Sequence, residues 1–448
     1  MTTPDITPTL RAILADVTDL ENPRDIGSGD DLFMLGMTSL ETLRVLLQLE
    51  DRFHVRIPDE LLDRELFRTL GNVRDALAPL LGTESAMRAD TGARPLTRFP
   101  PGTVSNPLGF AVDTAPPAGR ISLEYPLRIN AMAIDPALVA PTDDHRYSAG
   151  EVVLSISETR TVEVIRTGRP GELSIGPDSD RPPVIRHAVG IMRAALGVDD
   201  GLEIHAPKLP FLRHSGLGST SSLIAAVAAA MNELYGRPIG PEHMIRYLAQ
   251  NHGEESGTDD LLVPVQCLGG SAAAGHVAGS VIVLAGAGVP IATARLDDVD
   301  ILLATPRAFL DRTADDLLAD EVAHMDGFVR TGRKHGPEIA YRLLHHCLPE
   351  LARDNVRPLG ELVFDYRFDM GSIANCAFVL PGLDRLAERL RPLWYAETTL
   401  FLGISSVGPT FFAIGQDLEM CRKAFEAEDM VVYRSRPWNG GYRVNSIE

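Results

Sequence analysis

The chain has 448 residues, a formal net charge of −19, 45% apolar residues and 23% charged ones. That length and composition predict a soluble globular protein of two or three domains, and the acidic balance argues against nucleic acid or an anionic membrane, since both require a basic surface. No apolar run is long enough to span a bilayer, and the opening MTTPDITPTL has neither the basic nor the apolar stretch of an export signal, so a cytoplasmic location is expected. Cys267, Cys347, Cys376 and Cys421 are far apart with no CxxC, which reads as buried thiols in a reducing compartment, not as a metal site.

Residues 1–82 read as a small helical unit. ITPTLRAILADVTDL has helical apolar spacing, the loop ENPRDIGSGDDLFMLGMT comes next, and SLETLRVLLQLEDRF is a second amphipathic helix. HVRIPDELLDREL reads as a bend and turn before a last helix in RTLGNVRDALAPLL. Ser39 stands at the start of the second helix, where a lone serine reads as an N-cap. The stretch DDLFMLGMTSLETLRVLLQLEDRFHVRIPDE resembles an acyl or peptidyl carrier protein, and the resemblance covers residues 5–82. The family's Gly-x-Asp-Ser-Leu stands here as Gly36-Met37-Thr38-Ser39-Leu40, with Thr38 in place of the usual Asp. The resemblance implies 4′-phosphopantetheine on Ser39, at a helix start whose amides and dipole suit a phosphodiester. It also implies a phosphopantetheinyl transferase and acyl-activating, polyketide or nonribosomal enzymes as partners, toward whose basic surfaces Glu41, Glu50 and Asp51 would be directed.

Residues 83–118 hold Pro95, Pro100, Pro101, Pro107, Pro116 and Pro117, which deny them a long helix or a central strand. They read as a linker, with GFAVDTA as a short edge strand of the next domain. From Arg120 the pattern is α+β. RISLEYPLRI, EVVLSIS and TVEVIRT read as strands, PPVIRHAVGIMRAAL as a helix and LEIHAP as a strand. Then come HSGLGSTSSL and a long helix over 219–235, a helix in PEHMIRYLAQNH, and strands in SVIVLAG and DILLATP. Residues 315–367 are mostly helical, and the chain ends with TTLFLGIS, TFFAI, a helix near 416–427, and MVVYR. His345 and His346 share a helix with Cys347, and one of them is expected to pack inside.

In HSGLGSTSSL, Gly216 and Gly218 permit turns that other residues resist, and the amides around Leu217 are placed to converge. Ser219, Thr220, Ser221 and Ser222 add hydroxyls at a helix start, so a phosphate cradle and a plain capped turn both fit. The loop is neither a Walker A motif nor a Rossmann fingerprint. Arg213 precedes it as a clamp for phosphate, with His214 beside it. Arg128 lies on the opening strand; His252 reads as a surface residue.

Three further segments give the loop a context. RISLEYPLRINAM opens the domain, ESGTDDLLVPVQCLGG places Asp259 and Asp260 before an apolar stretch, and LGISSVGPTFFAIG sets a Gly/Ser loop between two strands. Together and in this order they resemble the GHMP superfamily, named for galactokinase, homoserine kinase, mevalonate kinase and phosphomevalonate kinase. The resemblance implies a domain like ribosomal protein S5 domain 2 over 119–300 and a ferredoxin-like domain over 301–448. It implies donor phosphates on Gly216, Leu217, Gly218, Ser219, Thr220 and Ser221, and a substrate-side loop of Ser405, Ser406, Gly408 and Thr410. Asp259 matches the base that activates an acceptor hydroxyl, and Ser219 with Asp259 are the expected ligands of Mg²⁺.

The Ser-Ser-Val-Gly-Pro-Thr form of the late loop, and IAYRLLHHCLPELARDNVRPLGELV, resemble the β-ribofuranosylaminobenzene 5′-phosphate synthase family. That family uses phosphoribosyl diphosphate, joins C1 of ribose 5-phosphate to a ring carbon, and releases carboxylate and diphosphate. The resemblances thus imply a transferase that uses either phosphoribosyl diphosphate or ATP, acting on a small-molecule acid or an acyl thioester. A non-catalytic module presenting the carrier is the third reading.

Overall fold

The computed structural model describes residues 6–18, 20, 22–53, 57, 65–78, 98–139, 149–209, 215–255, 259–265, 267–309, 314–396 and 398–448. The chain divides into two compact units, Met1–Pro95 and Leu96–Glu448.

The first unit contains α1 (Thr7–Val17), α2 (Ser39–Phe53) and α3 (residues 70–78). Each carries its apolar residues three or four apart, as Leu10, Ile13 and Leu14, then Val45 and Leu49, then Leu70, Val73 and Leu77, and these form one buried core. The loop before α2 is fastened to the approach of α3. The Leu32 amide donates to Arg68 O at 2.9 Å and the Gly71 amide to Ser28 O at 2.7 Å. The Arg68 guanidinium lies 3.0 Å from Asp31 and holds that carboxyl below its ordinary range. The bend expected at HVRIPDELLDREL falls largely outside the described residues.

In the second unit, a seven-stranded sheet contains β1 (Arg120–Ala133), β2 (Glu151–Arg166), β3 (Leu173–Ile175), β4 (Leu202–His205), β7 (Val281–Ala285), β8 (Val289–Ala294) and β13 (Arg443–Ile447). Its path runs β13-β1-β2-β4-β3, with β7 joined to the first half of β2 and β8 to β7. Between these strands in the chain come α4 (Pro182–Leu196), α5 (Ser219–Leu234), α6 (Pro241–Gln250) and α7 (Gly270–His276), and a two-stranded ribbon of β5 (Gly253–Glu255) and β6 (Leu262–Pro264). A four-stranded antiparallel sheet is built from β9 (Asp300–Pro306), β10 (Thr399–Ile404), β11 (Phe411–Gly415) and β12 (Met430–Ser435), in the order β10-β11-β9-β12. The helices between β9 and β10 are α8 (Ala314–Ala323), α9 (Met325–Arg342), α10 (Leu348–Leu351), α11 (Arg357–Phe364), α12 (Ser372–Asn375) and α13 (Leu383–Leu390). With α14 (Glu419–Ala427) before β12, this is the expected ferredoxin-like order.

A bulge decides which side of β1 faces what. Ile121, Leu123 and Tyr125 pack against α4 and α5, whereas Leu127, Ile129 and Ala131 pack against the four-stranded sheet. The register of β1 on β2 shifts between Pro126 and Leu127, where proline has no N–H to contribute to the ladder. Beyond the bulge, Arg128 and Asn130 alternate with these core residues. In the second sheet Ile301 and Leu303 face the first sheet, while Leu302 and Ala304 face Phe364, Leu383, Trp394 and Phe425.

Some expectations change. The stretch read as a linker over 83–118 belongs to the second unit from Leu96 onward. Its amides are satisfied by fixed partners: Gly102 donates to His187 Nδ1 at 3.1 Å, Ser105 and Asn106 to Asn251 Oδ1 at 2.8 and 3.0 Å, and Ala115 to Tyr235 O at 3.0 Å. GFAVDTA is a bend and irregular chain without a ladder, not an edge strand. At the other end β13 returns to pair with β1, Ile121 opposite Ile447, so the last strand completes the first sheet. His345 and His346 are both exposed, because a π-helical turn over Leu343–Cys347 gives the inward position to Cys347.

Candidate functional site

Three backbone elements meet where α5 begins. Gly216 has φ +92° and a side-chain carbon there would stand 2.3 Å from the Ser405 carbonyl oxygen, so only glycine fits. Gly218 caps α5 at φ +68°, and a methyl there would stand 2.7 Å from Ser271 Oγ and 3.0 Å from Arg128 Cζ. No side chain caps α5, so the first amides of a 16-residue helix are open to an anion.

The four hydroxyls of the loop do different things. Ser219 Oγ accepts a hydrogen bond from Arg181 Nη2 at 2.8 Å, and Thr220 Oγ1 accepts one from Arg181 Nη1. Ser221 pairs with Ser271 at 2.7 Å, while the fully buried Ser222 donates to Ser219 O. Beneath them lies Arg160, fully buried, 3.3 Å from the Asp180 carboxylate and donating to Ser219 O at 3.1 Å.

Gly216, Gly218, Ser219, Thr220 and Ser221 line a cavity of about 220 Å³. Leu217 is buried and turns to the other side of the loop, so it is not part of this wall. Arg128 and Arg367 stand in the wall as well. Arg128 Nη1 donates to Gly216 O at 2.9 Å. Arg367 comes from a π-helical turn over Asp365–Asp369, a type of distortion that often marks functional positions. It donates to the carbonyls of Asn130, Ala131 and Ser406, and among the described residues no carboxylate pairs with it. A buried guanidinium satisfied only by dipoles brings an unneutralised positive charge to this part of the wall.

Acids line the same cavity. Glu151 is buried, accepts from the Gly270 amide at 2.6 Å and from Asn130 Nδ2, and is pushed up by burial. Glu321 on α8 is pushed up to about 7, first by burial and then by the nearby charge of Glu254. His252 lies 3.3 Å from Glu254 and is buried in this wall, contrary to its reading as a surface residue; it leads directly into β5, which carries it inward. Burial pushes the Cys267 thiol up to about 12, so it is an unreactive wall group.

The expected residues divide accordingly. Of Ser405, Ser406, Gly408 and Thr410, only Ser406 lines the cavity. Ser405 is fully buried and links two elements, donating to Gly216 O at 2.7 Å and accepting from the Asn130 amide at 3.1 Å. Thr410 is buried against Thr305 at 2.8 Å, and Gly408 supplies a turn at φ +94°. Asp259 is not brought to the cavity. Its carboxylate, 42% exposed, is drawn to an outer turn by Arg98 at 3.2 Å and by the Leu261 amide at 3.0 Å. With Asp259 there and Ser219 facing Arg181, the two expected ligands of Mg²⁺ do not converge. Among the described residues no group of three or more His, Cys, Asp or Glu is arranged to hold a metal ion. Arg213 and His214 lie outside the described residues.

Sequence reasoning missed Arg160, Arg181 and Arg367. Arg181 carried one signal: in DSDRPPVIRH it occupies the cap position before Pro182, where Ser, Thr, Asp or Asn is the rule. In the first unit the missed feature is a capping box. The Thr38 amide and hydroxyl both donate to Glu41 Oε2, at 2.7 and 2.6 Å, and the Glu41 amide returns to Thr38 Oγ1 at 3.3 Å. Thr38 is therefore the cap, and Ser39 is the first residue of α2.

The site is thus a glycine-turned helix start, with open amides, over a cavity that holds both guanidinium and carboxyl groups. Residues 184–270 match the GHMP kinases N terminal domain family, and residues 8–77 match the phosphopantetheine attachment site family. The aminoacyl carrier protein of Agrobacterium fabrum is 34% identical over 80 residues, 17% of this chain and 96% of that protein. A homoserine kinase of Halobacterium salinarum is 28% identical over 123 residues, 26% of this chain and 40% of the kinase. The structure of mevalonate pyrophosphate decarboxylase from Streptococcus pyogenes shares the fold, with a TM-score of 0.50 at 12% identity over 72% of this chain and 98% of that one. The chain belongs to the phosphopantetheine carrier proteins through its first unit, which is joined to a unit that carries the GHMP kinases N terminal domain match. No helix among the described residues is long and apolar enough to cross a membrane.

Proposed function

We propose that the second unit is a transferase moving a phosphoribosyl-type group from a diphosphate donor to a small acid, free or held as a thioester on a carrier arm attached at Ser39. The observation that carries this reading is the make-up of the cavity: the loop over 216–221 shares it with Arg128 and Arg367, and Asp259, the carboxylate expected to activate a hydroxyl, lies outside. The α5 amides and the Ser219 and Thr220 hydroxyls hold the diphosphate; the two guanidiniums meet the remaining anionic groups of donor and acceptor. The bond from C1 of the sugar to diphosphate breaks, and its electron pair leaves on the diphosphate. A ring carbon of the acceptor closes on C1, and a free carboxylate on that carbon, distinct from any carboxyl engaged in a thioester, leaves as carbon dioxide and returns its electrons to the ring. The late-loop resemblance to the β-ribofuranosylaminobenzene 5′-phosphate synthase family supports the same chemistry.

A second reading, transfer of a phosphoryl group from ATP to an acceptor hydroxyl, is favoured by the sequence match to a homoserine kinase. Its base would be a carboxylate of the cavity wall, and Glu321, held near 7, is poised for that. Thermal unfolding of the full chain with magnesium present separates the two, because a ligand of the native state raises the melting temperature. Phosphoribosyl diphosphate should stabilise the chain more than ATP, with ribosylated product detected by mass spectrometry. Stabilisation by ATP alone, with a phosphorylated product, establishes the second reading, and stabilisation by neither overturns both. Intact-protein mass spectrometry after treatment with a phosphopantetheinyl transferase and coenzyme A tests the carrier: the native chain gains the arm and Ser39→Ala does not.

A further inference from the structure

We propose that Arg181 is a positioning residue that fixes the Ser219 and Thr220 hydroxyls as hydrogen-bond donors into the cavity, making the loop selective for a multiply charged diphosphate. This inference rests on the reading of the loop as the donor site.

A guanidinium has five N–H donors and no acceptor. The oxygen of any hydroxyl it touches is therefore the acceptor, and that hydroxyl's own hydrogen must point elsewhere. Arg181 touches both hydroxyls at once, Nη2 on Ser219 and Nη1 on Thr220. Both residues line the cavity, and among the described residues neither hydroxyl has another partner. The hydrogens are thereby directed to the side where a ligand lies. A serine or threonine without such a partner rotates and accepts as readily as it donates. Ser221 and Ser222 are the contrast within the same loop, since their hydroxyls bond to Ser271 and to Ser219 O.

The surroundings of Arg181 fit a role in direction rather than in packing. Arg181 is 2% exposed, with Glu255 and Asp180 carboxylates at 3.7 and 3.9 Å from its Nε. It stands at φ +43°, a left-handed backbone that a residue with a long side chain seldom adopts. Pro182 starts α4 at once, so the turn aims the guanidinium fork toward the start of α5. Arg160 fixes the same turn of α5 from below through Ser219 O. The planar fork meets the two hydroxyls with two N–H groups in fixed geometry, whereas a lysine ammonium is a compact charge on a flexible stem.

The test is calorimetric titration of the full chain with inorganic diphosphate and magnesium. Arg181→Lys keeps the charge and should bind diphosphate about tenfold more weakly or worse. Ser219→Ala combined with Thr220→Val should lose a comparable factor, and adding Arg181→Lys to that pair should lose little more, because the three act as a unit. Thr220→Ser should restore what Thr220→Val loses, and this pair of variants decides the matter if Arg181→Lys fails to fold. Undiminished binding by Arg181→Lys, losses that multiply, or equal binding by the serine and valine variants would overturn the role of Arg181 alone. A folded wild-type chain that binds no diphosphate overturns the donor reading, and this inference with it.

Discussion

The loops over 216–221 and 404–410 look alike in sequence, each a run of glycine and hydroxyl residues joining regular elements, yet the structure uses them oppositely. In the first, Ser219 and Thr220 are held from behind by Arg181 and face the cavity. In the second, Ser405 and Thr410 are fully buried and bonded to Gly216 O and Thr305, and of its hydroxyl residues only Ser406 reaches the cavity. One loop offers its donors to the cavity and the other holds that loop in place. The difference lies in what each hydroxyl meets: a buried guanidinium that can only donate for Ser219 and Thr220, and backbone or hydroxyl partners for Ser405 and Thr410.

Gly216 couples the two loops, so its substitution should have the largest effect. Gly216→Ala places a methyl 2.3 Å from the Ser405 carbonyl at φ +92°, and is expected to abolish donor binding in calorimetry. It should also lower stability by roughly 2–3 kcal/mol in denaturant unfolding. Wild-type affinity in this variant would show that the second loop does not hold the first.

Acid should act on the scaffold through two buried histidines. His187 and His276 are buried and held neutral, with pKa lowered to about 4 in each, chiefly by burial. In the unfolded chain they take up protons near 6.5. The unfolded state then binds more protons, so stability falls as pH drops from 6.5 toward about 4 and levels below that. His187→Gln should flatten part of this slope. Denaturant unfolding at intervals across this window checks it; an unchanged slope in His187→Gln would contradict the role of burial.

The next effect separates neighbouring serines. Ser405→Ala leaves the Asn130 amide without its hydroxyl partner in the interior, which costs about 1–3 kcal/mol. Ser406→Ala should cost less than about 0.5 kcal/mol. Equal melting temperatures for the two variants would erase the distinction between them. The smallest effect is expected at Asp259. Its pairing with Arg98 is an exposed ion pair worth at most about 1 kcal/mol, so Asp259→Asn should leave both turnover and stability near wild type. A large loss of turnover would return Asp259 to the reacting centre.

Much of this fold could be read from the sequence. Period-two strands, glycine turns and the long apolar α5 pointed to the loop at 216–221, and the order of strands in the second sheet matches the expected ferredoxin-like pattern. The packing of 98–118 could not be read, because it depends on distant side chains, Asn251 and His187, meeting proline-flanked amides. Nor could the use of each hydroxyl, since a serine's partners depend on what folds behind it. Arg181 is 38 residues from Ser219, and Arg367 reaches Asn130 across 237 positions. Motif reading also placed Asp259 at the site by its neighbours in sequence, whereas Arg98 and a local amide hold it on an outer turn.

The proposed transferase chemistry depends first on the loop at 216–221 holding the diphosphate of a donor. Calorimetric titration of the full chain with phosphoribosyl diphosphate, in the presence of magnesium and with subsequent competition by inorganic diphosphate, tests this most directly. Saturable one-site binding that inorganic diphosphate displaces is the expected result. A folded chain that binds neither compound would contradict it.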